Sequence, residues 1–281
     1  MKSFSVGPRR ERFRSIPCPL CGSGRSARRF EGRGYRFVTC LGCGLVYQNP
    51  QPLPAELPGR YGRSYFEYER RNEGNFFRLM ELGLRDIGFP RLAESLHRPR
   101  RALDVGCATG MLLESLRSGG WEVQGLDLCR QSARYAQAKR GVPVFVGTLE
   151  QACFPDSSFT LVHFSHLIEH LPDPAGFLRE VHRILRPEGY AVVTTPNIDG
   201  LQARLFRERW RSAIADHLCL FSRKTLGRLL SDSGFRVLKI QTWGGLAAGT
   251  APAWLKRPAD VLAKRLGFGD VVLMLVRKQT G

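Results

Sequence analysis

The sequence predicts an α/β protein: a doubly wound sheet of seven strands, preceded by a small zinc ribbon. Residues 102–113 begin as a buried strand, pass through a turn with two glycines and end as the first turn of a helix. From there strand and helix patterns alternate along the chain, which is typical of a mostly parallel sheet covered by helices on both faces. Ahead of this region lie two C-x-x-C pairs, the spacing of a metal-binding lobe.

Composition and charge narrow the class of protein. The length of 281 residues suits one full α/β domain with a small appendage. No stretch of about 18 or more apolar residues predicts a transmembrane helix, and the N-terminus lacks the apolar core of a secretory signal, so we expect a cytoplasmic protein. The net charge of +18 allows attraction to nucleic acid or to an anionic membrane but specifies neither. The sequence does not predict an oligomeric state.

The N-terminal region divides into a tail and a cysteine-rich lobe. Residues 1–15 are rich in arginine and lack apolar periodicity, so we expect a flexible basic tail. Residues 16–50 hold the two C-x-x-C pairs, each followed by glycine, which predicts a zinc-ribbon-like lobe rather than four unrelated thiols. Four cysteine ligands occupy all four coordination positions of a tetrahedral zinc ion, so this metal is expected to be structural. The expected zinc ligands are Cys18, Cys21, Cys40 and Cys43.

A linker and helical cover are expected over residues 51–96. The segment begins with prolines, which end the ribbon. Between Tyr61 and Leu96, aromatic and apolar residues recur at helical spacing. Two interpretations fit these residues: helices that cover a ligand cleft, or plain packing on the core.

The remaining elements alternate between strand and helix. We interpret residues 187–189 as a turn before the fifth strand, and a basic helical piece from Trp254 to Leu266 as packing on the protein body or lying on a membrane surface. The strands expected after the glycine turn cover residues 121–127, 142–146, 190–195, 235–240 and 271–276, with the fourth strand leading into residues 164–174 and helices over 130–140, 175–186 and 223–232.

The glycine turn is the strongest candidate for a ligand site. Gly106 and Gly110 give the main chain freedom to turn and leave room for a ligand against it. Asp104 ends the first strand, where open α/β sheets bind their ligands. The stretch does not match the dinucleotide motif G-x-G-x-x-G. The second strand ends in Asp127, whose carboxylate can accept hydrogen bonds from the hydroxyls of a ribose.

With these residues the chain resembles the class I S-adenosylmethionine-dependent methyltransferases, including the ubiquinone-pathway enzymes, whose first motif has the form D-x-G-x-G-x-G. Ala108 stands at the middle glycine. The resemblance implies a Rossmann-like methyltransferase domain over residues 97–281 with S-adenosyl-L-methionine as its cofactor. Thr148 stands where an acidic residue is common, so contact with adenine there is expected from the backbone. The cofactor-binding residues that the resemblance implies are Asp104, Gly106, Cys107, Ala108, Gly110, Asp127, Leu128, Thr148, Leu149 and Ser165.

The candidate catalytic residues follow the fourth strand. His166, Glu169 and His170 are spaced so that one helical turn would place them on one face. One interpretation is a general base that takes the acceptor's proton; a second is a divalent metal site; a third is that Glu169 and His170 only hold the turn by hydrogen bonds. His217 is a further base candidate, with a capping or core histidine as the alternative.

These observations predict a methyltransferase that transfers a methyl group to an O, N or C atom of a small-molecule, glycosyl or lipid-linked acceptor. The alternative is an RNA methyltransferase whose basic ribbon lobe binds RNA. A third possibility is a non-catalytic module that binds S-adenosylmethionine.

Overall fold

The computed structural model describes residues 12–32, 34–245, 258 and 263–279. Residues 1–11 of the expected basic tail and most of the expected basic helical piece, from Trp254 to Leu266, lie outside these ranges. The strands are β1 (Phe13–Arg14), β2 (Ser26–Gly32), β3 (Tyr35–Cys40), β4 (Val46–Gln48), β5 (Gln51–Pro52), β6 (Arg101–Val105), β7 (Glu122–Asp127), β8 (Val144–Val146), β9 (Phe159–Ser165), β10 (Leu185–Pro196), β11 (Cys219–Leu220), β12 (Phe235–Trp243) and β13 (Val271–Lys278). The helices are α1 (Arg63–Asp86), α2 (Phe89–Ser95), α3 (Met111–Ser118), α4 (Arg130–Arg140), α5 (Pro174–Ile184), α6 (Leu201–Phe206) and α7 (Arg223–Asp232).

The central sheet confirms the predicted α/β fold with seven strands. Their order is β12-β13-β10-β9-β6-β7-β8, and β13 runs antiparallel to both of its neighbours. From β6 the chain builds outward through β7 and β8, and then returns to build the other side through β9 and β10. The strand order therefore reverses between β6 and β9, and the crevice beyond the carboxyl ends of these strands is where such sheets bind ligands.

The strands of this sheet are apolar and pack against a hydrophobic core on each face. Leu103, Val162 and Val193 face one core, whereas Ala102 and Val192 face a second core that includes residues of α1 to α3. Because both faces are covered, the strands read as continuous apolar runs rather than as alternating patterns. Because of this burial, the strands could be predicted from their apolar sequence.

The predicted turn at residues 187–189 is wrong as a boundary. β10 already begins at Leu185, which pairs with Phe159 of β9, and the pairing shifts register before Tyr190. Glu188 has a φ of 61°, so the expected turn is a bulge within one long strand.

The helical cover consists of α1 and α2. Leu84 and Ile87 at the end of α1 pack in the core beside Trp121. Gly83 touches the sheet so closely that a Cβ there would lie 2.3 Å from Trp243. Gly88, with a φ of 73°, then ends α1 and starts α2.

The cysteine lobe is a small antiparallel sheet of β2, β3 and β4, with β11 as its fourth strand. β3 lies between the two cysteine pairs and ends at Cys40, and β4 follows the second pair. The sequence shows no strand pattern at β2, because Phe30 is the one buried residue of that strand. Phe13 and Arg14, inside the expected flexible tail, pair with β5.

Candidate active site

The glycine turn after β6 leaves its main chain open to the crevice. Gly106 has a φ of 76°, and the nearest atom that a Cβ there would meet is Leu167 Cδ1, at 3.6 Å. Gly110 also has a positive φ, 78°, but a Cβ there would lie 3.0 Å from Ala136 and Val142. Gly110 thus allows close packing of α3 on its neighbours, whereas Gly106 leaves room for a ligand.

Asp127 at the end of β7 holds this turn in place. Its side chain is buried, and its two oxygens accept hydrogen bonds from the backbone N–H groups of Ala108 at 2.8 Å and Cys129 at 2.7 Å. Burial raises the pKa of Asp127 to about 6, although both N–H donors lower it. Each carboxylate oxygen can accept a second hydrogen bond. The residue therefore fits the expected contact with ribose hydroxyls while also fixing the turn.

The buried partner of Asp104 is a histidine that the sequence did not single out. His163 lies directly opposite it on β9, and its Nδ1 is 2.7 Å from Asp104 Oδ1, with both side chains buried. The only available signal was that the two residues occupy facing positions on adjacent strands. His163 Nε2 has no hydrogen-bond partner in the described part of the chain.

The other expected cofactor residues lie in different surroundings. The side chains of Cys107 and Leu149 are buried in the core, so only their backbones are available to a ligand. The Thr148 backbone N–H donates to Gln151 Oε1 at 2.9 Å. The two remaining expected residues are at least partly exposed: Leu128, which follows Asp127, and Ser165, which ends β9.

His166 and Glu169 form one half of the catalytic cluster. His166 has a φ of 52°, its side chain is 51% exposed, and its Nδ1 lies 3.2 Å from Oε1 of the fully buried Glu169. Thr195 Oγ1 donates to the other carboxylate oxygen at 2.9 Å. Burial alone would raise the pKa of Glu169, but the hydrogen bond from His166 and the charges that the nearby histidines carry when protonated lower it to about 2. Glu169 is therefore ionised at neutral pH.

His170 and His217 form the other half. Their ring centroids are 4.8 Å apart, and each Nδ1 faces a backbone carbonyl: Asp216 at 2.9 Å for His170 and Ser212 at 2.8 Å for His217. Since a carbonyl only accepts, each Nδ1 carries a proton, and Nε2 has a free lone pair when the ring is neutral. Burial and the neighbouring His170 lower the pKa of His217 to about 3, so its ring is neutral.

The structure therefore regroups the predicted catalytic residues. His166 contacts Glu169 as expected, but His170 turns toward His217 rather than sharing a face with His166. The donor atoms of Glu169, His170 and His217 all lie within 4.8 Å of one another. Two imidazoles and an ionised carboxylate suit a divalent transition metal, and the carbonyls that fix the imidazoles are typical of metal-binding histidines.

One residue of α1 also faces the crevice. Glu69 lies close enough to Asp127 and His166 for their charges to act on it, and burial, with Asp127, raises its pKa to about 7. Nothing in the sequence singled out this position, because α1 reads as an ordinary amphipathic helix.

The four cysteines converge at the tip of the lobe. All four sulfurs lie within 4.8 Å of one another, with 3.5 Å between Cys18 and Cys43 and 3.5 Å between Cys21 and Cys40. A tetrahedral zinc ion bound by four thiolates places its sulfurs about 3.8 Å apart. The donor set and its size therefore fit zinc.

Comparison with known proteins identifies what this chain is similar to. A family model for a methyltransferase domain matches residues 77–240, more than half of the chain. The ubiquinone biosynthesis O-methyltransferases of Chromobacterium violaceum and Bordetella avium are 33% and 34% identical to it, over 35% and 38% of this chain and 45% and 46% of theirs. The chain thus matches somewhat less than half the length of these curated relatives.

Solved structures share the fold. A SAM-dependent methyltransferase from Archaeoglobus fulgidus is 23% identical with a TM-score of 0.56, covering 77% of this chain and 100% of its own. A complex of the Haloferax volcanii Trm112 methyltransferase activator with a putative methyltransferase gives 19% identity and a TM-score of 0.56, covering 76% of this chain and 98% of that one. No helix in the described ranges is long and apolar enough to span a membrane.

Proposed function

The chain belongs to the methyltransferase domain family, and on that premise we propose that it transfers the methyl group of S-adenosyl-L-methionine to a small-molecule, glycosyl or lipid-linked acceptor. The observation that carries the proposal is the open main chain at Gly106 beside the carboxylate of Asp127, at the reversal of strand order. The cofactor supplies an electrophilic methyl group on a sulfonium. Gly106 and Ala108 would hold its methionine part, and Asp127 its ribose.

His166 is the general base in this proposal. Its Nδ1 proton is directed at the ionised carboxylate of Glu169, which leaves Nε2 to take the proton of an acceptor hydroxyl. The buried carboxylate both orients the ring and stabilises the imidazolium that forms. Because half of the His166 side chain is exposed, an acceptor entering the crevice can reach it. An oxygen acceptor, as the names of the curated relatives specify for those enzymes, fits this base.

We also propose a divalent ion at Glu169, His170 and His217. When bound there, it would act as a Lewis acid toward an acceptor oxygen. The chain's own contribution is to orient both imidazoles, through hydrogen bonds from Nδ1 to the carbonyls of Asp216 and Ser212. Manganese binding followed by electron paramagnetic resonance tests this site: His217→Gln should weaken it at least tenfold, and the exposed His97→Gln should not.

Structural zinc in the cysteine lobe and a cytoplasmic location complete the proposal. A site of four thiolates needs a reducing compartment, which supports the cytoplasm.

The RNA alternative is supported by the exposed Arg28 and Arg29 of β2. If RNA is the acceptor, its binding must weaken steeply with added salt; turnover of an uncharged small molecule must not.

Calorimetric titration with S-adenosylmethionine tests the function. Asp127→Asn keeps the size of the side chain but removes its charge, and should weaken binding about tenfold to 100-fold through the lost charged hydrogen bonds to the ribose. The matched control Asp232→Asn changes an exposed aspartate paired with Arg228 on α7 and should leave binding unchanged. A folded wild-type protein that does not bind the cofactor would refute the proposal. Binding without transfer to any acceptor class would favour the non-catalytic module.

A further inference from the structure

The cysteine lobe takes one strand from the segment that carries the candidate active site. β11 begins two residues after His217 and pairs antiparallel with β4, Cys219 opposite Tyr47 and Leu220 opposite Val46. The lobe's sheet is therefore complete only when this distant part of the chain joins it.

Further contacts tie the same segment to the last residue of β4 and to the linker that follows it. The backbone N–H of Gln48 donates to the Leu218 carbonyl at 2.8 Å, and the buried Gln51 side chain donates to that carbonyl at 3.3 Å. Arg60 donates to the Ala215 carbonyl at 2.9 Å and forms an ion pair of 3.0 Å with Asp216. The lobe and the linker thus hold Ala215, Asp216 and Leu218, the residues on both sides of His217.

This segment carries two determinants of the catalytic cluster. One is His217 itself, and the other is the Asp216 carbonyl that fixes the ring of His170. From the opposite side, the backbone N–H of Leu218 donates to the carbonyl of Glu169 at 2.7 Å. A shift of the segment would therefore move His217 and release the orientation of His170.

The cysteine cluster is continuous with the core beneath the active-site turn. Cys18 and Cys40 are buried in the same cluster as Cys219, and so is Ile168, which begins the turn that carries Glu169 and His170. Packing at this density transmits a displacement of one side chain to its neighbours.

We infer that the cysteine lobe is a positioning element of the active site: its strand β4, together with Gln51 and Arg60 of the adjoining linker, holds residues 215–220 in place and so sets the geometry of His217 and His170. The inference rests on the proposed role of these histidines. In this role the lobe positions residues of its own chain, and no nucleic-acid partner is needed. Metal at the cysteines and divalent metal at the histidines should then be coupled, although they occupy separate sites.

Two variants test this. Gln51→Leu removes the side-chain hydrogen bond to Leu218 without touching a cysteine. Its matched control is Gln137→Leu, which removes a 2.9 Å hydrogen bond to the Val144 carbonyl at the far edge of the sheet. Cys43→Ser removes one of the less buried thiolates of the zinc site. Each protein is examined at full length for amide hydrogen exchange over residues 212–221, for manganese affinity by electron paramagnetic resonance and for S-adenosylmethionine affinity by calorimetry.

We expect faster exchange over residues 212–221 and a manganese affinity about fivefold lower in Gln51→Leu, with a larger loss in Cys43→Ser. S-adenosylmethionine affinity should stay within about twofold of wild type in Gln51→Leu, because the cofactor site lies on the other side of the crevice. The Gln137→Leu control should match wild type in both hydrogen exchange and manganese affinity. Unchanged exchange in both test variants would overturn the inference. If the wild-type protein binds neither S-adenosylmethionine nor manganese, the proposed function fails instead, and hydrogen exchange still decides whether the lobe holds the segment.

Discussion

Glu169→Gln probes the electrostatics of the catalytic cluster. The pKa of the buried carboxyl falls from an ordinary 4.5 to about 2, so the folded protein favours the ionised form by about 3 kcal/mol. Because the folded-state pKa lies below the unfolded one, this stabilisation is fully present above about pH 4.5 and is lost as the pH falls toward 2. Glutamine cannot ionise and contributes none of it at any pH.

Urea unfolding of wild type and variant measures the effect. The free energy of unfolding should differ by about 3 kcal/mol at pH 7 and by roughly half as much at pH 3. Loss of zinc at low pH affects both proteins, so only their difference is interpreted. The control Glu188→Gln alters an exposed ion pair with Arg277 and should change stability by less than about 1 kcal/mol. A difference that is the same at both pH values would refute the account of Glu169.

Two further variants test the crevice. Gly106→Ala should weaken S-adenosylmethionine binding in calorimetry because its Cβ enters the ligand's space, whereas Gly22→Ala, with a similar φ of 71° and therefore a similar strain of about 1–2 kcal/mol, should not; equal effects would contradict the role of Gly106. His163→Leu should destabilise the protein by about 3–5 kcal/mol in urea unfolding because it strands the buried Asp104 carboxylate. A loss below about 1 kcal/mol would show that this carboxylate does not depend on His163.

Local sequence signals predicted the parts of the molecule that local physics decides. The strand that contains Asp104, β6, is largely apolar because it is buried on both faces, and Gly106 and Gly110 have the positive φ values that their turn requires. The C-x-x-C pairs place two thiols on one side of a tight turn by spacing alone. Such features need no knowledge of distant residues.

The rest depends on contacts between residues far apart in the chain. His170 and His217 meet only because the fold returns residues 212–220 to the turn after β9. The same return supplies β11 to the cysteine lobe, and two apolar residues alone carry no signal for a strand. The bulge at Glu188 was read as a turn because proline and glycine flank it, although β9 pairs with the strand on both sides of it.

A crystal structure of the protein with S-adenosylhomocysteine tests the central claim most directly. We predict that the ligand lies beyond the carboxyl ends of β6 and β9, with its ribose hydroxyls on the Asp127 carboxylate, its amino-acid part against Gly106 and its sulfur facing His166. A ligand bound elsewhere on a correctly folded chain, or one that leaves Asp127 without contact, would contradict the account.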